Sequence, residues 1–371
     1  MATAKETIEH LLSLADIKPN GSRPFDIQVH DERFYGRVLA ERTLGLGESY
    51  MDGWWDVRRL DEFIARVISA GVHKKIRVTP TMVRSFIRAA LFNRQTKERA
   101  THNASYHYNI GNDLYERMLG PSMIYSCAYW RNAKTLEDAQ MAKLDLICRK
   151  LHLKKDMTLL DIGCGWGGFA AYAARNYGVT VTGISPAAEQ VEVARERTKN
   201  LPVTILQKDY RDMTGSFDRI VSIGMLEHVG PKNYKTFFAQ NKSMLKDGGI
   251  MLHHTIGKNF SANYADPWID RYIFPGGVIP SLAHISKAVE KKLIIEDVHN
   301  FGPDYEKTLM AWHANFVKHY SEISKQYDER FYRMWTFYLL SCAGAFRARN
   351  LQLLQIVMRK IEPSQPYEAV R

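Results

Sequence analysis

At 371 residues the chain is longer than most single domains, so two structured units are expected. Apolar residues make up 45% and charged residues 25%, ordinary globular values with no low-complexity stretch and no repeat period. The net charge of +11 favours an anionic partner (nucleic acid, an anionic membrane face or an acidic substrate) without choosing among them.

The N-terminal "MATAKETIEHLLSLADI" carries acids early and reads as an amphipathic helix, not a signal peptide. The longest apolar run, near "FYLLSCAGAF", is about half of the roughly 20 residues a membrane span needs, so a soluble protein is expected. The four cysteines, Cys127, Cys148, Cys164 and Cys342, are scattered and form no CxxC pair. Neither a disulfide framework nor a metal site is expected, and a reducing cytosol fits.

In chain order, residues 1–92 read as a smaller, mostly helical domain. Within it "DERFYGRVLAERTLGLGESYMDGWWDVRRLDEFIARVIS" alternates short helical patterns with a turn at Gly45 and Gly47. Pro80 opens "TMVRSFIRAALF", which puts Val83, Ile87, Ala90 and Leu91 on one helical face. Arg84 and Arg88 stack one turn apart there. Residues 93–103 read as a polar linker, and 104–371 as the catalytic domain.

From about residue 137 the pattern becomes strand–helix alternation. "MTLLDIG", "VTVTGIS", "VTILQKD", "FDRIVSIG" and "GIMLHHTIG" read as strands. "TLEDAQMAKLDLICRKL", "GWGGFAAYAARNYG", "PAAEQVEVARERTKN" and "NYKTFFAQNKSMLKDGG" read as helices, the last with a glycine cap. Continuous apolar strands alternating with helices predict an α/β fold, a doubly wound and mostly parallel sheet.

The strongest motif is "LLDIGCGWGGFAAYAA" at 159–174. A strand ends at Asp161, and Gly163, Gly165 and Gly167 turn the chain into a helix. Glycines there let backbone N–H groups approach a ligand closely. The pattern D-x-G-x-G-x-G matches the nucleoside-binding turn of S-adenosylmethionine (SAM) methyltransferases of class I better than the dinucleotide pattern GxGxxG. A packing loop or a dinucleotide site is the competing reading. Such folds usually hold the ribose with an acid at the end of the second strand, but "TGISPAAEQ" offers Ser185 and Gln190, with Glu189 less well placed.

Six stretches occur in order: "GESYMDGWWD", "YHYNIGNDLYERMLGPSMIYSCAYW", "LLDIGCGWGG", "SIGMLEHVG", "HHTIG" and "YIFPGGVIPS". Together they resemble the cyclopropane-fatty-acid synthase family with its mycolic acid methyltransferases, from about residue 30 to about 360. The resemblance implies a SAM-dependent enzyme acting on cis double bonds of phospholipid acyl chains. In the family the methyl carbon becomes a cyclopropane bridge, and the carbocation that forms loses a proton to bound bicarbonate. An alkene has no proton to activate, so such an enzyme mainly needs alignment in a water-free pocket.

Carried over by motif, the bicarbonate site falls on Glu227 in "LEHVG", His254 in "HTIG" and Tyr305 in "GPDYEKTLMAW". Cys127 and Ile256 are implied to contribute through the main chain. The SAM site is expected at Gly163 and Gly165 for backbone approach. Tyr125 and Ser126 fall at the methionine end, Ser185 and Gln190 at the ribose, Tyr210 and Arg211 at the adenine. Asp161 more often orients the glycine loop than touches SAM.

Taken alone, Glu227 also reads as a cap for the helix that follows, His254 more often as a satisfied core histidine, and Cys127 as a nucleophile that lacks any activating pair. His228 is read as structural and Cys164 as a packing residue. Tyr264, Trp268, Tyr272, Phe274 and "MWTFYLL" are read as lining for an acyl channel or as ordinary core.

The resemblance also implies a homodimer, and a chain that reaches a mid-chain double bond without a membrane span is expected in the cytoplasm, bound peripherally to the inner membrane face. Arg58, Arg59, Lys74, Lys75, Arg77, Arg84 and Arg88 would dock unsaturated phospholipid in an anionic surface. A SAM-dependent N-methyltransferase of a small amine and a non-catalytic lipid-binding protein are the alternatives. No Asn-Pro-Pro-aromatic motif for flipped bases is present, so a nucleic-acid substrate is not expected.

Overall fold

The computed structural model describes residues 2–72, 95–96, 111–361 and 365–371. The chain divides into two compact units, each assembled from separate stretches. One comprises Met1–Phe92, Tyr264–Pro275 and Tyr305–Leu351; the other comprises Asn93–Asn263, Gly276–Asp304 and Gln352–Arg371. The helical unit is therefore not the N-terminal stretch alone, as the sequence suggested. It takes two later segments from the region assigned wholly to catalysis. Pro80, "TMVRSFIRAALF" and most of the expected linker lie outside the described residues.

The helical unit begins with α1 (Ala4–Ser13), whose cap is reciprocal: Glu6 N–H donates to the Thr3 hydroxyl and Thr3 N–H to the Glu6 carboxylate. α2 (Arg33–Glu41), α3 (Thr43–Met51) and α4 (Leu60–Ser69) follow. The two short antiparallel strands β1 (Gln28–Val29) and β2 (Trp55–Asp56) pair with each other. Trp55 is wholly buried, with the rings of Phe34 and Phe63 centred 5.9 and 5.3 Å away.

The expected turn at Gly45 and Gly47 does not form, because both residues lie inside α3. The chain bends earlier, at Arg42 with φ 58°. These glycines serve close packing instead. A Cβ on Gly45 would meet the Arg37 carbonyl oxygen at 2.5 Å, and one on Gly47 would collide with the Trp268 indole.

The long helix Glu329–Arg347 shows why the later segments belong here. It buries Trp335, Phe337, Leu339 and Leu340. Its Gly344 lets the backbone close on α4, where a Cβ would meet Asp61 O at 2.5 Å. Asp61, only 1% exposed, accepts hydrogen bonds from Arg59 at 2.9 Å and Arg347 at 2.6 Å. Trp268 is core, its ring 4.7 Å from Phe337, whereas Tyr264 is exposed.

The second unit is a seven-stranded sheet in the order β5-β4-β3-β6-β7-β9-β8. Its strands are β3 (Thr158–Ile162), β4 (Thr180–Ser185), β5 (Val203–Gln207), β6 (Phe217–Ile223), β7 (Leu245–Lys258), β8 (Leu293–Asn300) and β9 (Leu351–Lys360). β5, β4, β3, β6 and β7 pair in parallel, and β8 runs antiparallel to β9. Parallel strands covered on both faces need apolar residues at every position. Leu159, Leu160, Ile162, Ile220 and Val221 accordingly show no exposed surface.

One helix end differs from expectation. The helix Tyr234–Met244 does not reach the glycines of "KDGG". Leu245 is already extended and pairs with Phe217, and the register then slips before Arg219 meets Ile250. Gly248, at φ 71°, serves that irregularity and not a cap.

Candidate active site

β3 ends in the glycine turn. Gly163, Gly165 and Gly167 take φ of 84°, 54° and 79°, angles that residues with a Cβ rarely adopt. A Cβ on Gly165 would meet nothing within 4 Å among the described residues, so the backbone is open there. Gly163 and Cys164 donate to Ile184 O at 2.9 and 3.0 Å, which pins the turn to the end of β4. Gly167 then caps the helix Gly168–Tyr177, whose free N–H groups face the turn.

At the end of β4, Ser185 and Gln190 are buried, and the Ser185 hydroxyl donates to Gln190 Oε1 at 3.1 Å. After β5, Tyr210 packs edge-on against Phe237 at 5.0 Å, and burial pushes its hydroxyl up to about 12. Arg211 pairs with Asp209 at 2.9 Å and donates to Gln95 O at 2.9 Å. Its charge is therefore balanced within the protein.

Tyr125 packs edge-on against Tyr115, with ring centres 5.2 Å apart. Ser126 is buried and ties to the helix Leu136–Lys150 twice. Its hydroxyl accepts from Lys143 Nζ at 2.8 Å, and its carbonyl accepts from Gln140 Nε2 at 2.9 Å. Lys143 is wholly buried. Burial brings its amine down to about 7, while Cys127 and Asp161 favour the charged form. Asp161 is 1% exposed, and its Oδ2 has no hydrogen-bond partner among the described residues. Burial lifts its carboxyl to about 7, and Lys143 opposes that rise.

Glu227 lies in the short helix Leu226–Val229 that leaves β6. Its Oε1 accepts the Ile256 N–H at 2.7 Å, whereas the buried Oε2 has no partner among the described residues. Burial raises the carboxyl to about 7 against the lowering effect of the Ile256 N–H. His254 stands opposite Ile223 in the β6–β7 register and is 2% exposed. It shares a strand face with Ile256 two residues on. Its Nδ1 is 3.3 Å from Gln355 Nε2, and its Nε2 has no partner among the described residues. Burial first, then Lys143 and Lys150, hold the imidazole well below its usual pKa. His228 is likewise lowered, to about 4, by burial. Cys127 is wholly buried, and its thiol hydrogen-bonds to Ala128 O at 3.2 Å.

Thus Cys127, Asp161 and His254 all feel the charge of Lys143, and Ser126 touches it. Glu227 and Ile256 touch each other. Tyr305 belongs to the helical unit, where its ring packs 4.6 Å from Phe346 and 6.0 Å from Trp312. Sequence reasoning missed Lys143, Asp209 and Gln355. For Lys143 and Gln355 the available signal was a polar residue on a largely apolar face. Lys143 shares its helix face with Gln140, Leu144 and Ile147, and Gln355 interrupts the run "LLQIVM".

A mostly parallel seven-stranded sheet with an open glycine turn after its first strand defines a class I SAM-dependent methyltransferase. The family described as mycolic acid cyclopropane synthetase matches residues 95–356, and the chain belongs to it. The chain is 53% identical over 353 residues to the cyclopropane-fatty-acyl-phospholipid synthase of Escherichia coli K12, covering 94% of this chain and 92% of that protein. A mycolic acid cyclopropane synthase solved with SAH and CTAB superposes with a TM-score of 0.66 at 32% identity, over 70% of this chain and 98% of that one. Coclaurine N-methyltransferase superposes with a TM-score of 0.70 over 85% of this chain and 99% of that one, but at 19% identity the likeness is one of fold alone.

Proposed function

We infer that the protein transfers the methyl carbon of SAM to the cis double bond of unsaturated acyl chains in membrane phospholipids, closing a cyclopropane ring. The single observation that carries the reaction class is the similarity to the E. coli synthase along nearly the whole of both chains. The glycine turn, Ser126 and the Ser185–Gln190 pair are the proposed holders of SAM, which supplies the carbon. Tyr125, Tyr210 and Arg211 complete that assignment.

The residues also suit a bound bicarbonate. Glu227 Oε2 and His254 Nε2 are buried polar atoms without a partner among the described residues, and neither group need carry a full charge near neutral pH. Bicarbonate supplies a base for the proton that leaves the transferred carbon. Glu227, His254 and the main chain at Cys127 and Ile256 would hold it, and Tyr305 enters the proposal by its motif. Preorganised polar groups of this kind act without reorganising during the reaction.

No helix among the described residues is long and apolar enough to cross a membrane. Peripheral contact with an anionic leaflet, and assembly as a dimer, belong to the proposal. Arg59 is a poor candidate for that contact, because it pairs with buried Asp61, whereas Arg58 is exposed and among the described residues donates only to the Ser22 carbonyl. Lys74, Lys75, Arg77, Arg84 and Arg88 lie outside the described residues.

Vesicles of unsaturated phospholipid with SAM should yield S-adenosylhomocysteine and acyl chains one methylene heavier. Equal turnover on saturated vesicles would reject the reading.

A further inference from the structure

β7 and β9 are neighbours in the sheet, and they bring His254 and Gln355 together. Both side chains are buried, Gln355 completely. The Gln355 amide nitrogen stands 3.3 Å from His254 Nδ1. Gln355 Oε1 is buried without a partner among the described residues, and with the amide nitrogen, which only donates, turned to the ring, Nδ1 accepts. Burial together with the two lysines keeps the imidazole neutral, and a neutral imidazole carries one N–H. With the Nδ1 lone pair engaged, that hydrogen sits on Nε2. Nε2 in turn is buried and meets no acceptor among the described residues. A buried N–H calls for an acceptor, and nothing in the hydrogen bonding of the strand supplies one.

We propose that Gln355 is a positioning residue that fixes His254 as the Nε2–H tautomer, making the histidine a hydrogen-bond donor to an oxyanion. This deepens the bicarbonate reading of Glu227 and His254 and rests on it. It also removes His254 as a base. Its Nδ1 lone pair is held by Gln355, and its Nε2 has no lone pair to offer an incoming proton. The proton from the transferred carbon must go elsewhere. The hydrogen bond from an outer partner to a ligating histidine sets which ring nitrogen faces the ligand, the same logic that operates in metal sites.

The test uses the full chain labelled with 15N-histidine, with the His254 signals identified by their loss in His254→Gln. Multiple-bond 1H–15N correlation should report a single Nε2–H tautomer in the wild type. Gln355→Glu places an acceptor against Nδ1 and should move the hydrogen to Nδ1. Gln355→Met should leave a mixture, and it decides the matter if the glutamate variant does not fold. In parallel, Gln355→Glu should raise the half-saturating bicarbonate concentration roughly tenfold or more. KM for SAM should change less than about twofold. An Nδ1–H tautomer in the wild type, or a tautomer indifferent to both substitutions, overturns the proposal. If the tautomers behave as expected while wild-type turnover ignores bicarbonate, the lock stands and the bicarbonate reading falls.

Discussion

The Ile256 main-chain N–H donates to Glu227 Oε1 at 2.7 Å, which couples β7 to the short helix leaving β6. The bond divides the carboxylate. One oxygen is committed to holding the backbone, and the other, Oε2, is the one left for chemistry. The helix-cap reading of Glu227 is set aside, since the helix that follows, Tyr234–Met244, receives no side-chain cap.

Glu227→Gln keeps an oxygen for Ile256 and replaces Oε2 by an amide. The substitution should lower kcat by roughly 10², the usual effect of losing one preorganised polar group. SAM binding, measured by titration, should stay within about twofold, because no glycine of the turn is touched. Turnover at the wild-type level would refute the role.

The same carboxyl makes a stability prediction. Its folded pKa is about 7, above the unfolded value of 4.5. Between those values the folded state binds more protons than the unfolded state, so this group's contribution falls as pH rises from 4.5 to 7 and is flat above. Glu227→Gln should therefore be more stable than the wild type at pH 8, by on the order of 1 kcal/mol after allowing for partial exposure, and unfold at a higher temperature. At pH 4.5 the two should coincide. Thermal melts across that range decide, and a variant less stable at pH 8 contradicts the sign.

Lys143→Met removes the buried donor to Ser126. If that contact orders the methionine end of the SAM site, KM for SAM should rise roughly tenfold, with a smaller change in kcat. Loss of the ammonium should also raise the Asp161 carboxyl further. Calorimetric titration with S-adenosylhomocysteine checks the first point, and unchanged affinity would show that Lys143 serves packing only.

Reversing Arg84 and Arg88 to Glu should weaken binding to anionic vesicles by about 1 kcal/mol per charge, an effect that salt screens away. Activity on detergent-dispersed substrate should be spared. Equal losses in both assays, or vesicle binding indifferent to salt, would exclude docking by this segment.

The sheet was legible because its strands are continuous apolar runs and its helices alternate with them. The glycine turn was legible because three glycines at alternate positions after a strand have few other uses. Gly45 and Gly47 misled because glycine marks both a bend and a close approach, and only the packed partner distinguishes them: the Arg37 carbonyl for Gly45, and for Gly47 the Trp268 ring, more than 200 residues away in sequence. Lys143 and Gln355 were missed because a polar residue on an apolar face reads as exposed until its partner is known. The partners, Ser126 and His254, come from other elements. No local pattern in Tyr305–Leu351 indicates which core that segment enters.

Because the helical unit draws on three stretches, the chain passes between its two units five times. On the ribosome, Met1–Phe92 emerges about 260 residues before Leu351. At roughly 5–20 residues per second that interval is on the order of tens of seconds. Through it Asp61 lacks Arg347, and the face of α4 that receives Gly344 lacks its cover. A segment made well before its partners is thus completed late, and a nascent chain has reason to meet a chaperone there. The same interlacing restrains recombination: a relative's first 92 residues could be exchanged cleanly only if two later segments travelled with them.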